Sequence, residues 1–99
     1  MKRLFISQPM AGRDDAQILQ ERQKAIEEAK AILGQEVEVI DSFFRGKPGD
    51  AGPLWYLAKS LELLSTADAA YFAEGWEGAR GCRIEQECAV RYGIPILRA

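Results

Sequence analysis

With 99 residues, the chain has the length of one domain, and its 47% apolar and 28% charged residues are ordinary values for a globular protein. Its net charge of −2 provides no basic surface for a nucleic-acid polymer, although a single nucleotide needs only one or two local positive groups. The chain contains no histidine, which excludes histidine acid–base catalysis and most zinc sites, and we expect neither a metal ion nor a cofactor.

No segment of the sequence suits a secretion signal or a membrane span. The apolar run that follows Met1 is too short for a signal peptide, and no stretch approaches the roughly 18 apolar residues of a membrane helix. Cys82 and Cys88 lie on different faces of one predicted helix, so we expect them to stay unpaired in a reducing compartment. These features predict a cytoplasmic protein without a membrane partner.

The first half of the chain alternates between strand and helix. An apolar strand is predicted over residues 3–7 and a loop over residues 8–13, and Asp14 with Gln17 forms a capping box. Gly34 ends the helix that follows. Its residues at core spacing are Ile18, Leu19, Arg22, Ala25, Ile26, Ala29, Ile32 and Leu33. A second strand over residues 37–40 ends at Asp41.

The second half continues the same alternation. A long glycine- and proline-containing loop over residues 42–52 leads to Pro53, which suits the first turn of a second helix. That helix is predicted to end near Ser65 and to place four leucines at core spacing: Leu54, Leu57, Leu61 and Leu64. Asp68 is predicted to serve a turn before the third strand at 69–73. A third helix follows at 80–92, and a fourth strand at 94–97 lies at an edge because it contains Pro95.

This alternation predicts an α/β domain spanning residues 1–99. We expect a flavodoxin-like or Rossmann-like three-layer sandwich with a four-stranded parallel sheet, strand order 2-1-3-4 and helices on both faces. The strand order reverses between strands 1 and 3, where open sheets bind ligands beyond the carboxyl ends of their strands. The loops at 8–13 and 74–80 are therefore expected to meet at a binding cleft.

Glu85 is the leading candidate for a functional residue. It is predicted in the first turn of the third helix, where the helix dipole favours an ionised carboxylate, and such a group aimed into a cleft can act as a nucleophile or base. Glutamates are also common at helix starts simply because they interact favourably with the helix dipole, so a functional and a purely structural interpretation both stay open. The loop at 8–13 likewise reads either as an anion site assisted by Arg13 or as a plain turn. Trp76 lies near the cleft as an aromatic that either stacks on a base or packs against the core.

Four segments in order resemble the nucleoside 2-deoxyribosyltransferase superfamily over essentially the whole chain. They include "ISQPMAG" at 6–12, "GW" at 75–76 and "RGCRIE" at 80–85 followed by Ala89. The closest likeness is to small bacterial and phage members, and the opening segment also resembles the phosphate-holding loop of 2′-deoxynucleoside 5′-phosphate N-hydrolases. The resemblance implies a nucleoside or nucleoside 5′-monophosphate as ligand and a homodimer or higher homo-oligomer.

The resemblance also implies roles for individual residues. A glutamate four residues after a glycine and four before an alanine attacks the sugar C1′ in that superfamily, and Glu85 matches it between Gly81 and Ala89. The chemistry is that of a retaining glycosidase, followed by transfer to another base or to water. The residues implied to bind the substrate are Ser7, Gln8, Pro9, Met10, Gly12, Arg13, Asp41, Trp76, Arg80 and Gly81.

Three positions depart from the superfamily pattern. The helix 2 position that usually carries a catalytic aspartate is Ser60, which can donate a hydrogen bond but cannot act as a carboxylic acid. The polar residue that usually holds the substrate's 5′ end is Ala79, and the strand 1 tyrosine that orients the nucleophile is Phe5. Arg80 or Arg13 could grip a 5′-phosphate instead. The replacement acid could be any of Asp41, Asp50, Glu74 and Glu77.

Two functions remain open from the sequence. One is an enzyme that cleaves or exchanges an N-glycosidic bond with Glu85 as nucleophile and Ser60 in the site. The other is a non-catalytic nucleotide-binding module with the same pocket, which the loss of the helix 2 aspartate favours. A second carboxylate close to Glu85 would favour the enzyme, and an apolar or serine-only surround would favour binding alone.

Overall fold

The computed structural model describes residues 1–44, 49 and 51–98, so part of the predicted 42–52 loop lies outside the described residues. Within them no helix is long and apolar enough to cross a membrane. Strands and helices alternate as predicted: β1 Lys2–Ser7, α1 Asp15–Leu33, β2 Val37–Val39, α2 Pro53–Leu64, β3 Ala69–Phe72, α3 Arg80–Arg91 and β4 Ile96–Arg98, with a 3₁₀ turn at Trp76–Gly78 before α3.

The sheet confirms the predicted order β2-β1-β3-β4, and all of its strand pairs are parallel. Leu4 of β1 pairs with Val39 on one side and Ala69 on the other, which makes β1 a central strand. β4 lies at the edge as expected but begins two residues late. The Ile94 amide instead donates to the Ala89 carbonyl at 2.9 Å, so Ile94 closes α3 rather than entering the sheet.

Local signals at the ends of α1 act as the sequence predicts. The Asp14 side chain accepts from the Gln17 amide at 2.8 Å, and the Gln17 side chain accepts from the Asp14 amide at 3.0 Å. Gly34 caps the other end with a φ of 68°, a left-handed conformation that glycine adopts without strain. Asp68 accepts a hydrogen bond from the Arg3 amide at 2.8 Å, so it serves the turn before β3.

Side chains of β1 alternate between two apolar clusters, one on each face of the sheet. Leu4 and Ile6 pack with α1, whereas Phe5 packs with residues of α2 and α3. The resulting layers are α1, the sheet, and α2 with α3. Because successive strand residues point to opposite faces, Ser7 shares the face of Phe5 and is directed toward α2 and α3.

Two predicted apolar stripes are wrong in part. Leu54 is 75% exposed, and Leu57 is half-buried beside a cleft, because the first turns of α2 border that cleft rather than the sheet. Only the end of α2 reaches the core, where Leu64 is buried. On α1, Leu19 and Ile32 are exposed, while Arg22 is buried as its place in the stripe predicts.

Candidate functional site

A cleft of about 700 Å³ opens at the carboxyl end of β1, between that strand and the first turns of α2 and α3. It lies at the predicted point where the strand order reverses. Its walls are mostly apolar, and three polar side chains from three elements meet at its inner end: Ser7 of β1, Ser60 of α2 and Glu85 of α3. This convergence makes the cleft the candidate site.

The Glu85 carboxylate is held by hydroxyl groups. The Ser7 Oγ donates to Glu85 Oε1 at 2.6 Å, and the Ser60 hydroxyl forms a second hydrogen bond with the same carboxylate. Glu85 is 7% exposed and Ser7 is 2% exposed, so the pair is closed off from bulk water. The face of β1 that carries Ser7 therefore provides the orienting hydroxyl, two residues beyond Phe5.

The predicted position of Glu85 in the first turn of its helix is wrong. The helix begins at Arg80, which makes Glu85 its sixth residue and places it in the second turn. The helix dipole acts mainly within the first turn, so it contributes little to the ionisation of this carboxylate. The pKa of Glu85 is therefore governed by its burial and by its hydrogen-bond partners.

Burial raises the pKa of Glu85, and the hydrogen bonds from Ser7 and Ser60 lower it without cancelling that rise. Both donors are neutral, and neutral hydroxyls stabilise a buried carboxylate less than a cation would. The site therefore holds a carboxylate whose negative charge lacks a positive partner among these contacts.

Cys82 adds a thiol to the same wall of the cleft. Burial, together with the nearby Glu85, raises its pKa to about 11, although a hydrogen bond with Ser7 and the positive charge of Arg13 act to lower it. The thiol is therefore protonated and neutral at physiological pH. Cys82 and Cys88 are both unpaired, as predicted. The sequence predicted only that Cys82 stays unpaired, and its place in the cleft was missed.

Behind the cleft, a buried arginine connects β1 to the end of β2. Arg22 donates to Gln8 Oε1 at 3.3 Å, to the Ile40 carbonyl at 2.7 Å and to Ser42 Oγ at 3.3 Å. Gln8 in turn donates to the Ile18 carbonyl at 3.1 Å. Gln8 and Ser42 both line the cleft, so Arg22 fixes two of its polar residues. An arginine inside an apolar stripe is the sequence signal for this network.

Eight of the twelve residues predicted for the site line the cleft: Ser7, Gln8, Pro9, Met10, Ser60, Arg80, Gly81 and Glu85. The other four lie elsewhere. Arg13 forms an ion pair with Glu21 at 3.1 Å, Gly12 is exposed in a turn, and Asp41 is exposed beyond β2. The Trp76 ring packs on Phe72 with centroids 5.7 Å apart.

The predicted replacement acids do not join Glu85. Asp41, Glu74 and Glu77 are exposed, and none of them lines the cleft, while Asp50 lies outside the described residues. Glu85 is thus the one carboxylate among the described residues that line this cleft. Over the same part of the chain, no group of three or more cysteine and acidic side chains is placed to hold a metal ion.

Aromatic residues form one side of the cleft. Phe44 and Tyr56 line it, and Trp55 packs against both, with ring centroids 6.1 Å from Phe44 and 5.1 Å from Tyr56. The Trp55–Tyr56 contact is edge-to-face. Such rings offer flat, apolar surfaces for a planar base.

Comparison with known proteins supports the fold. A crystal structure of a conserved protein from Enterococcus faecalis V583 superimposes on 97% of this chain with a TM-score of 0.66 and 16% sequence identity. This chain spans 61% of the length of that protein. No protein-family model matches the chain, and no curated protein matches it.

Proposed function

We propose that the protein cleaves or transfers the N-glycosidic bond of a nucleoside or nucleoside 5′-monophosphate, with Glu85 as the nucleophile. The observation that carries this proposal is the buried Glu85 carboxylate, which the Ser7 hydroxyl holds at 2.6 Å at the inner end of the cleft. The resemblance of the chain to nucleoside 2-deoxyribosyltransferases supplies the reaction class.

The reaction has two steps of the retaining type. A Glu85 oxygen bonds to the sugar C1′ as the bond from C1′ to the base breaks, through a centre with oxocarbenium character. Water or a second base then takes the sugar from the glutamyl ester and restores the carboxylate. The Ser7 and Ser60 hydroxyls keep the carboxylate oriented, and the rings of Phe44 and Tyr56 face the base.

A second candidate is a nucleotide-binding module without turnover. The hydrogen-bond partners of Glu85 are serine hydroxyls, and Ser60 occupies the position at which the resembled superfamily has an acid. A neutral purine or pyrimidine departs slowly without a proton donor, since general acid catalysis contributes roughly 10²–10⁴-fold. This observation favours binding of such nucleotides over their cleavage.

The two candidates separate in one assay series. The protein is incubated with a panel of deoxynucleosides, ribonucleosides and their 5′-monophosphates, and released base is measured by chromatography, beside binding by calorimetry. The enzyme predicts base release that is lost in Glu85→Gln and kept in Glu87→Gln. Glu87 is a suitable control because it is exposed on the same helix and pairs with Arg91 at 3.2 Å.

Binding without base release from any of these compounds would establish the module instead. Base release that persists in Glu85→Gln would remove the nucleophile from the proposal. We also propose, from the resemblance and the cysteine usage, that the protein works as a homo-oligomer in the cytoplasm.

A further inference from the structure

We infer that the cleft selects N-glycosides whose base carries a positive charge, such as pyridinium nucleosides and N-alkylated purine nucleosides. This inference rests on the proposed function and specifies the substrate class for the same site. Three features of the cleft support it: the charge balance around Glu85, the set of groups able to assist the leaving base, and the aromatic wall.

The negative charge of the Glu85 carboxylate has only neutral groups around it, so a cationic ligand would be favoured there. The groups that face it from three elements are Ser7 of β1, Ser60 of α2 and the protonated Cys82 thiol of α3, and all of them are neutral. A buried carboxylate without a positive partner loses solvation without a compensating attraction. A cationic base above Glu85 would supply that attraction.

Two of the three arginines in or near the cleft are engaged by other groups. Arg13 pairs with Glu21, and Arg22 donates to Gln8, Ser42 and the Ile40 carbonyl. Arg80 lines the cleft but is exposed. None of these three side chains forms a described contact with the Glu85 carboxylate, so the charge there is available to a ligand.

A cationic base also leaves without a proton. When a Glu85 oxygen bonds to C1′, the C1′–N bond breaks and its electron pair passes to the ring nitrogen, which becomes neutral. Water then bonds to C1′ through its oxygen, the C1′–O bond to Glu85 breaks, and a water proton passes to the released carboxylate. Neither step requires the carboxylic acid that Ser60 cannot provide.

The aromatic wall suits the same class of base. Phe44 and Tyr56 line the cleft, and a cation over an aromatic face gains electrostatic attraction from the ring. Leu57 and Ile84 also line the cleft and add apolar surface beside these rings.

The test compares ligands that share a shape and differ in charge. Nicotinamide riboside carries a pyridinium ring, and its dihydro form is neutral. We expect wild-type protein to bind the cationic form at least about tenfold more tightly in calorimetry, the scale set by two unit charges about 4 Å apart. The preference is lost in Glu85→Gln and kept in Glu87→Gln. Equal affinity of wild-type protein for both forms would overturn the inference, and that comparison needs no variant.

Turnover distinguishes this inference from the proposed function. The paired substrates are 7-methylguanosine, whose base is cationic, and guanosine, and release of either base is followed by chromatography. Faster cleavage of 7-methylguanosine supports both ideas. Cleavage of guanosine or neutral deoxynucleosides at an equal or higher rate overturns the charge selection and leaves the proposed function standing. Selective binding of the cation without any cleavage supports the selection and removes the proposed reaction.

Discussion

At the scale of single residues, the pKa of Glu85 is set by burial and hydrogen bonds rather than by the dipole of its helix. Its place in the second turn of α3 removes most of the dipole effect, and burial then raises the pKa of the carboxyl against two serine hydroxyls. The pKa of this carboxyl therefore depends on its burial and on the two hydroxyls, so removal of one hydroxyl shifts the pKa in a direction that follows from the structure.

The stability of the protein is expected to fall as pH rises through the pKa of Glu85. The folded pKa lies above the value of the unfolded chain, so the protonated form is favoured in the fold and its stabilising contribution is lost once the group ionises. The Glu85→Gln variant keeps a neutral side chain at every pH. Urea unfolding of both proteins, at pH values from the unfolded pKa of Glu85 to above its folded pKa, should show wild type losing stability relative to the variant as pH increases. A constant difference would contradict the raised pKa.

Ser7→Ala is expected to raise the pKa of Glu85 further, because the lost hydroxyl donates to the ionised carboxylate at 2.6 Å. The acid limb of the pH profile for base release, or for binding of a cationic nucleoside, should move to higher pH. Loss of this buried hydrogen bond should also cost about 1 kcal/mol of stability. Ser65→Ala is the control, since Ser65 is exposed at the end of α2. An unmoved profile would show that Ser7 does not orient the carboxylate.

At the scale of elements, the sequence predicted the helices and strands better than the faces they bury. Apolar spacing placed α1 and α2 correctly, but spacing alone does not reveal where a neighbouring element ends. Leu54 lies at core spacing yet borders an open cleft, whereas Arg22 breaks the apolar pattern yet is buried. Both outcomes depend on contacts between elements that are distant in sequence.

The end of α2 that reaches the core carries most of its packing energy. Leu64→Ala should destabilise the protein by about 2–5 kcal/mol, since Leu64 is 2% exposed in the cluster with Phe5 and Phe72. Leu54→Ala should change stability by less than about 0.5 kcal/mol, because Leu54 is 75% exposed. Denaturant unfolding of the two variants measures both values. Similar losses would show that the first turn of α2 is buried.

Arg22 joins α1 to the ends of β1 and β2, so its removal should weaken the contacts among these three elements and lower the stability of the protein. Arg22→Met leaves the Ile40 carbonyl, Gln8 and Ser42 without their donor, at a cost of about 1–3 kcal/mol for an unpaired buried group. Lys24→Met removes an exposed cation from the same helix and should be nearly neutral. Urea unfolding compares the two variants, and equal stability would exclude a structural role for the Arg22 network.

At the scale of the whole molecule, the fold follows from the sequence because alternation of strands and helices admits few topologies. The predicted strand order 2-1-3-4, with β1 in a central place, is one of these few topologies, and the sheet confirms it. The site was predictable only in part. The family resemblance at Gly81, Glu85 and Ala89 indicated the carboxylate, but the hydrogen bond from Ser7 and the thiol of Cys82 arise from packing across three elements.

The family resemblance implies that the protein forms a homo-oligomer, and the molecular mass in solution tests this prediction. We expect light scattering after size exclusion to give a mass of at least twice 11.0 kDa. Leu54→Glu should lower that mass if the exposed first turn of α2 forms the contact between subunits, because a charge disrupts an apolar interface. A wild-type mass of one chain would contradict the homo-oligomer.

Because side chains of β1 alternate between the two faces of the sheet, substitutions that affect the packing of α1 and substitutions that affect the cleft fall at different positions. Leu4 and Ile6 hold the layer of α1, while Phe5 and Ser7 face the other layer, where the cleft lies. A mutation at one of the odd positions can therefore alter the chemistry of the cleft without disturbing the packing of α1. Related chains could diverge in substrate through these two positions and keep one architecture, and a protein engineer could begin a search for new specificity at the same two sites.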